Sequence, residues 1–269
     1  MRIFFCILLA IVSISCNNPK DGKNDTNKAT VYPVFVQDLI QAVDRFPDST
    51  ELRVQLIDTM DSLNLTKDAL LQIDALIARD SGNYGNWFRK GEIAIHAADT
   101  SMAIQSFSRA ANVYATPDVL LTLANLYAAQ KNKLALTLST QVIDQQPDRT
   151  YIAHSYFIAG LYYANTGKTG AAIENFNRCI QQNYYYLDAY LEIGWIYFDQ
   201  QKYIPAKEIF ETATAVKPTD ARGHYWTAKC LEKIGQSDKA INAYQLAFNL
   251  DNSLSEASDA ISRIKDAKK

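Results

Sequence analysis

From Pro33 onward, apolar positions recur every three or four residues, and the strict alternation of a half-buried strand does not occur. That period predicts helices with one apolar face. The helices also resemble one another. Ala69, Ala103, Ala135, Ala172, Ala206 and Ala240 are separated by 34, 32, 37, 34 and 34 residues. Four residues beyond them stand Ile73, Phe107, Ser139, Phe176, Phe210 and Tyr244, and three further on Leu76, Ala110, Val142, Cys179, Ala213 and Ala247. Small, bulky and small at that spacing form one helix face. Upstream of each Ala the pattern predicts a partner helix, best seen in Tyr190-Leu191-Glu192-Ile193-Gly194-Trp195-Ile196-Tyr197. Its fifth place is small in the five better copies (Gly91, Ala124, Gly160, Gly194, Ala228), so the two helices of a pair are expected to approach closely. Pro47, Pro147 and Pro218 fall where helices end, and Pro205 falls in a first turn, where proline is tolerated.

Both ends of this array read as caps. Residues 33–46 carry Leu39 and Ala42 at the spacing of a second helix, a lone half-repeat closed by Pro47. Ser255 to Lys268 reads as a polar helix with Ala257, Ala260, Ile261 and Ile264 on one side, and terminal elements of a solenoid need such a soluble outer face.

The paired pattern resembles the tetratricopeptide repeat (TPR), W-x2-L-G-x2-Y followed by A-x3-F and P at a 34-residue period. Units resembling it lie near 50–83, 84–116, 117–149, 153–186, 187–220 and 221–254. The first departs from the pattern, with Arg53 and Ile57 at the aromatic and glycine places. The third lacks one residue in its internal turn, and Asp148 to Ile152 lengthens the approach to the fourth. The resemblance implies an all-α, right-handed α-solenoid of about six helix pairs with capping helices at both ends, one unit over residues 33–269. It also implies a concave groove lined by the first helix of each pair. Just after the aromatic place the row reads Phe88, Leu121, Phe157, Leu191, Tyr225; four residues on it reads Glu92, Asn125, Leu161, Trp195, Lys229; three further it reads Ile95, Ala128, Ala164, Phe198, Glu232. The expected binding residues are Phe88, Leu121, Phe157, Leu161, Leu191, Trp195, Phe198 and Tyr225, with Trp195 as anchor. Packing between neighbouring repeats explains the same aromatics equally well. The groove lacks the Lys and Asn ladder by which chaperone-binding TPRs clamp a C-terminal carboxylate. A further row places His154 between Asp118 and Asp188, either a pH-sensitive contact or a solvated surface row. Tyr184-Tyr185-Tyr186 replaces the proline between two good repeats and is expected to fill the seam.

The start of the chain has a different pattern. Arg2 precedes ten unbroken apolar residues, Ile3 to Val12, then Ser13-Ile14-Ser15-Cys16. That run is about half of the ~20 residues a spanning helix needs, and its flanks describe a secretory signal over residues 1–15. Cys16 directly after a small residue resembles the lipobox of bacterial lipoproteins, whose Cys becomes the lipidated N-terminus; Ser13 stands where Leu is commonest. An unlipidated signal cleaved near Cys16 is the alternative. Residues 16–32 then read as the lipidated Cys and a flexible tether, because residues 17–28 carry no large apolar side chain. Asn17 after the Cys resembles lipoproteins sorted to the outer membrane.

Composition adds exclusions. The chain has 269 residues, is 48 % hydrophobic and carries net charge −2, and loss of residues 1–15 makes that −3. Such a balance, with no dominant basic block, argues against a nucleic-acid footprint. No phosphate loop, H-E-x-x-H or G-x-S-x-G occurs, His96, His154 and His224 lie 58 and 70 residues apart, and no Cys or His spacing suits a metal. No catalytic residue, metal or cofactor is expected, and Cys179 and Cys230 read as buried thiols. The expected function is a non-enzymatic scaffold or adaptor lipoprotein of the bacterial envelope, on the outer membrane and facing the periplasm. Its partner is expected to be a protein or peptide, with a homodimer allowed through the terminal helices. The alternative is an envelope binding protein for glycan or peptide ligands, its aromatic groove stacking sugars.

Overall fold

A computed structural model describes residues 32–145 and 148–267. The expected signal, Cys16, most of the tether and Pro147 lie outside the described residues, which hold fourteen helices and no strand. A lone helix α1 (Val34–Arg45) is followed by six pairs: α2 (Thr50–Ser62) with α3 (Thr66–Arg79), α4 (Tyr84–His96) with α5 (Thr100–Val113), α6 (Pro117–Ala129) with α7 (Leu134–Gln145), α8 (Arg149–Asn165) with α9 (Thr169–Gln182), α10 (Leu187–Asp199) with α11 (Tyr203–Val216), and α12 (Ala221–Lys233) with α13 (Ser237–Leu250). A last helix α14 (Ser255–Asp266) closes the stack. Each helix packs on the next in sequence, which makes the chain an α-solenoid of helix pairs capped at both ends.

Local chemistry sets the starts. The first helices of five pairs have a polar side chain accepting from their opening turn: Ser49 from Leu52, Asn83 from Asn86, Thr116 from Val119, Asp148 from Thr150, and Asp220 from Arg222. Pro117 sits at the first position of α6, where its missing N–H leaves nothing unpaired. One expectation shifts here. Residues 149–152 do not form a longer approach to the fourth unit but an added first turn of α8, capped by the Asp148 carboxylate at 2.7 Å.

Within every pair the turn has the same geometry. Asn64, Ala98, Lys131, Gly167, Gln201 and Gly235 all take positive φ, and the residue after each donates to the carbonyl five positions back. For Gln201 that bond is Lys202 N–H to the Tyr197 carbonyl at 2.9 Å. The motif satisfies the last carbonyls of the first helix and reverses the chain in three residues. Ala98, Lys131 and Gln201 adopt this left-handed conformation with a Cβ present, at a conformational penalty that glycine avoids.

The decisive packing lies between the two helices of a pair. A Cβ added at Gly91 would stand 2.6 Å from the Phe107 ring, at Gly160 2.4 Å from Phe176, and at Gly194 2.5 Å from Phe210. All three rings are fully buried. The space of the missing side chain is filled by the aromatic of the partner helix. The same faces pair Ala124 with the smaller Ser139 in the third unit, and Ile57 with Ile73 in the first. The core is accordingly a series of clusters between successive layers rather than one mass. At the far end Ala257, Ala260, Ile261 and Ile264 of α14 are buried against α12 and α13, as their spacing requires.

Two stability measurements check this. Gln201→Gly relieves the left-handed strain and raises unfolding free energy by about 0.5–1 kcal/mol in urea titrations, whereas Gly167→Ala lowers it by about 1 kcal/mol. Gly194→Ala forces its methyl into a ring that cannot swing away and lowers stability by about 1–3 kcal/mol. Adding Phe210→Leu to Gly194→Ala lessens the clash, so the double variant loses less than the two single losses summed.

Candidate functional site

The first helices form one layer and the second helices another. Side chains tie each first helix to the next, always about one repeat apart. Arg89 bonds Asp58 at 2.8 Å and His96 bonds Asp61 at 2.7 Å between α4 and α2. Tyr84 meets Thr116 at 2.9 Å, and the Asn165 amide donates to the Ala128 carbonyl at 3.1 Å. His154 meets the Tyr186 hydroxyl at 2.6 Å, Arg222 bonds Asp188 at 2.8 Å, and Arg263 holds both oxygens of Glu232 at 2.8 and 3.0 Å. These ties join successive first helices into one layer, the layer expected from the repeat resemblance to line the groove.

Of the three rows expected there, the first is mainly packing. Leu121 and Leu191, expected as binding residues, are 4 % and 0 % exposed and belong to the core instead. Each is on a face that meets the neighbouring repeat as well as its own partner helix. Phe88 and Phe157 are half-buried and turned onto the buried rings of their partner helices, Phe88 edge-on to Phe107 at 5.2 Å and Phe157 tilted to Phe176 at 5.6 Å. Tyr225 does the same with Tyr244 at 5.7 Å. The second row, Glu92, Asn125, Leu161, Trp195 and Lys229, stays at least partly open throughout and forms the groove floor. In the third row Ala128 and Ala164 are buried, Phe198 and Glu232 are half-buried, and Ile95 is exposed.

The floor is polar at one end. Asp58 and Asp61 are engaged by Arg89 and His96, while partial burial raises the Glu92 carboxyl above its ordinary range and the two aspartates add to the effect against Arg89 and His96. A shallow hollow of about 580 Å³ runs along α2 beside Asp58. At the other end the aromatics close round a cation. The Lys229 ammonium lies 4.6 Å from the Trp226 ring centre, 5.4 Å from Tyr225 and 5.9 Å from Phe198. Burial lowers the Lys229 ammonium from its ordinary range. Trp226 stacks on Phe210 at 5.8 Å and meets Trp195 edge-on at 5.9 Å, and the Trp195 indole N–H has no acceptor among the described residues. The sequence rows passed over Trp226, which stands one place beyond Tyr225. Its signal was the unbroken Tyr225-Trp226 pair; once Tyr225 turns to Tyr244, the next ring is left to face Trp195 and Phe198.

Elsewhere the expectations divide. His154 does not sit between carboxylates: its Nδ1 is bound to Tyr186, burial lowers it from its usual range, Asp188 is taken by Arg222, and Asp118 lies 3.5 Å from the Tyr151 hydroxyl. Tyr186 fills the seam, but Tyr184 and Tyr185 are 54 % and 75 % exposed. Cys179 and Cys230 are buried thiols that desolvation pushes up to about 12, too high for a reactive thiolate. Among the described residues no helix is long and apolar enough to cross a membrane, and no cluster of His, Cys, Asp or Glu could hold a metal ion.

Two stretches of the chain, residues 153–184 and 191–252, match tetratricopeptide repeat families, and the same helix pair recurs before and after them. The chain carries tetratricopeptide repeats over these residues. Solved TPR structures share its fold at low identity. A TPR protein from Parabacteroides merdae superposes with a TM-score of 0.65 at 12 % identity, over 86 % of this chain and 91 % of that one. PilW, a type IV pilus biogenesis factor, gives 0.63 at 15 % identity over 80 % and 98 %. The C-terminal part of a TPR protein from Cytophaga hutchinsonii gives 0.57 at 16 % over 80 % and 88 %. No curated protein matches the sequence. The TPR fold supports a scaffold for protein–protein interaction, and TPR proteins are generally non-catalytic.

Proposed function

We propose that this TPR chain is a non-enzymatic adaptor lipoprotein of a bacterial cell envelope, which holds a peptide or helix of a partner protein in its concave groove. The observation that carries the reading is the groove floor itself. Leu161, Trp195 and Phe198 keep part of their surface open on the first-helix layer, as Phe88 and Phe157 do, while Leu121 and Leu191 are absorbed into packing. A partly exposed apolar strip between polar ends is the anatomy of a binding surface, with the anchors central and the charges at the rim. The anchor to the membrane in this reading is Cys16, joined by the tether of residues 16–32, on an outer-membrane lipoprotein facing the periplasm. PilW, a fold relative, is a pilus biogenesis factor, which is compatible with an envelope role. At the free end of the stack α1 leaves Val34 73 % and Phe35 52 % exposed, the surface on which a second copy would pair.

The alternative, glycan stacking, has weaker support. Sugars need an open aromatic face, whereas Trp226 has Phe210 against its ring and Lys229 over it.

Leu161→Glu places a charge on the floor at a half-buried side chain that packs between two core clusters. It is expected to reduce partner recovery in pull-downs at least about tenfold at unchanged helical content by circular dichroism. Undiminished recovery, or a wild-type glycan-array signal lost in Trp195→Ala, overturns the adaptor reading. Radiolabelled palmitate is expected to label the wild-type chain and not Cys16→Ser. Absence of wild-type label beside a labelled control lipoprotein removes the anchor.

A further inference from the structure

The second groove row has opposite charges at its two ends. It runs Glu92, Asn125, Leu161, Trp195, Lys229 over α4, α6, α8, α10 and α12. Among the described residues neither Glu92 nor Lys229 makes an ion pair, although both stand beside charged groups that do. Near Glu92, Arg89 is spent on Asp58 and His96 on Asp61. Near Lys229, the carboxylate of Glu232 is held on both oxygens by Arg263 and accepts from the Tyr244 hydroxyl at 3.0 Å. The direct contacts of the lysine are ring faces, with the Glu232 and Glu256 carboxylates acting on it from a distance, and between the two charges the floor runs Asn125, Leu161, Trp195.

We propose that the groove selects an extended segment of a partner protein by charge polarity, with a basic side chain at Glu92, an apolar side chain over Leu161 and Trp195, and a carboxylate at Lys229. This deepens the groove reading and rests on it. The occupant is extended because such a segment reaches both charged ends with fewer than half the residues that a helix needs. Four helix-to-helix steps separate Glu92 from Lys229, and at about 8–10 Å each they span about 32–40 Å. An extended chain covers that distance in about 10–12 residues. The chain's own residues 17–28 contain both charges but no large apolar side chain, so they do not match the floor. The carboxylate at Lys229 completes the ion pair that Arg263 denies it, in partly desolvated surroundings where a charge-assisted bond is strong. The basic residue at Glu92 does the same at the other end.

The test is selection from a phage-displayed library of random 12-residue peptides on the full chain in mild detergent, with three variants in parallel. Peptides whose binding is lost on Leu161→Glu are expected to carry Lys or Arg towards one end and Asp or Glu towards the other. Their affinity is expected to fall at least about tenfold on Lys229→Glu. The same peptide with its acid changed to Lys is expected to regain binding on that variant. Lys229→Gln, which keeps the stem over the rings, is expected to lose the acidic preference at an unchanged melting temperature. Groove-dependent peptides that lack the charge pairing, or that bind Lys229→Glu as tightly as wild type, overturn the polarity proposal and leave the groove reading standing. Peptides that bind Leu161→Glu as well as wild type overturn both.

Discussion

Everything in this molecule follows from one close approach, the first-helix glycine that has no side chain because an aromatic ring of the second helix occupies the space. At Gly91, Gly160 and Gly194 even a methyl group would stand within 2.6 Å of that ring. Contact this close fixes the distance and angle of the two helices, and a buried ring fixes them rigidly. Repetition of a fixed pair gives a stack whose geometry is set locally, so stability grows by neighbours and not by enlarging one core. Where the unit relaxes, the complementarity relaxes with it: Ala124 faces Ser139, and Ile57 faces Ile73.

The pair geometry determines which surface is left to bind. With the second-helix rings pointed at the glycines, the first helices come together in a single layer tied at every step, from Arg89 and Asp58 to Arg263 and Glu232. Their remaining open side chains line up in rows along that layer. Burial then separates functions within that layer. Leu121 and Leu191 are used up by packing, whereas Glu92, Leu161, Trp195 and Lys229 stay at least partly open along one row. The charges at its ends make no ion pair because Arg89, His96 and Glu232 beside them are engaged by Asp58, Asp61 and Arg263.

Much of the fold was legible because its constraint is a spacing. The alanine register located six pairs, and Pro205, Pro47 and the apolar side of α14 behave as their positions imply. The site was less legible. Spacing puts Leu191 on the same helix face as Phe157, but α10 is pressed by its own partner and by both neighbouring repeats, and it buries Leu187, Ala189, Tyr190, Leu191, Ile193, Gly194 and Ile196. A helix with that many contacts has almost no free face, and periodicity alone cannot say which apolar residue keeps one. The left-handed turn residues were hidden for another reason: Ala98, Lys131 and Gln201 carry no local signal for positive φ, which the surrounding helix ends impose on them. The Lys229 cage depends on Trp226, whose ring is placed by the turn of Tyr225 towards Tyr244, a tertiary event with no counterpart in the repeat pattern.

Site-specific photo-crosslinking tests most directly whether the first-helix layer is the binding face. A benzophenone side chain would be introduced at Leu161 on the floor, or at Leu246, which is 52 % exposed on the second helix α13, in cells that contain the natural partner. Binding in the concave groove predicts a discrete adduct from position 161 and none from position 246. An adduct formed only from position 246 would contradict it.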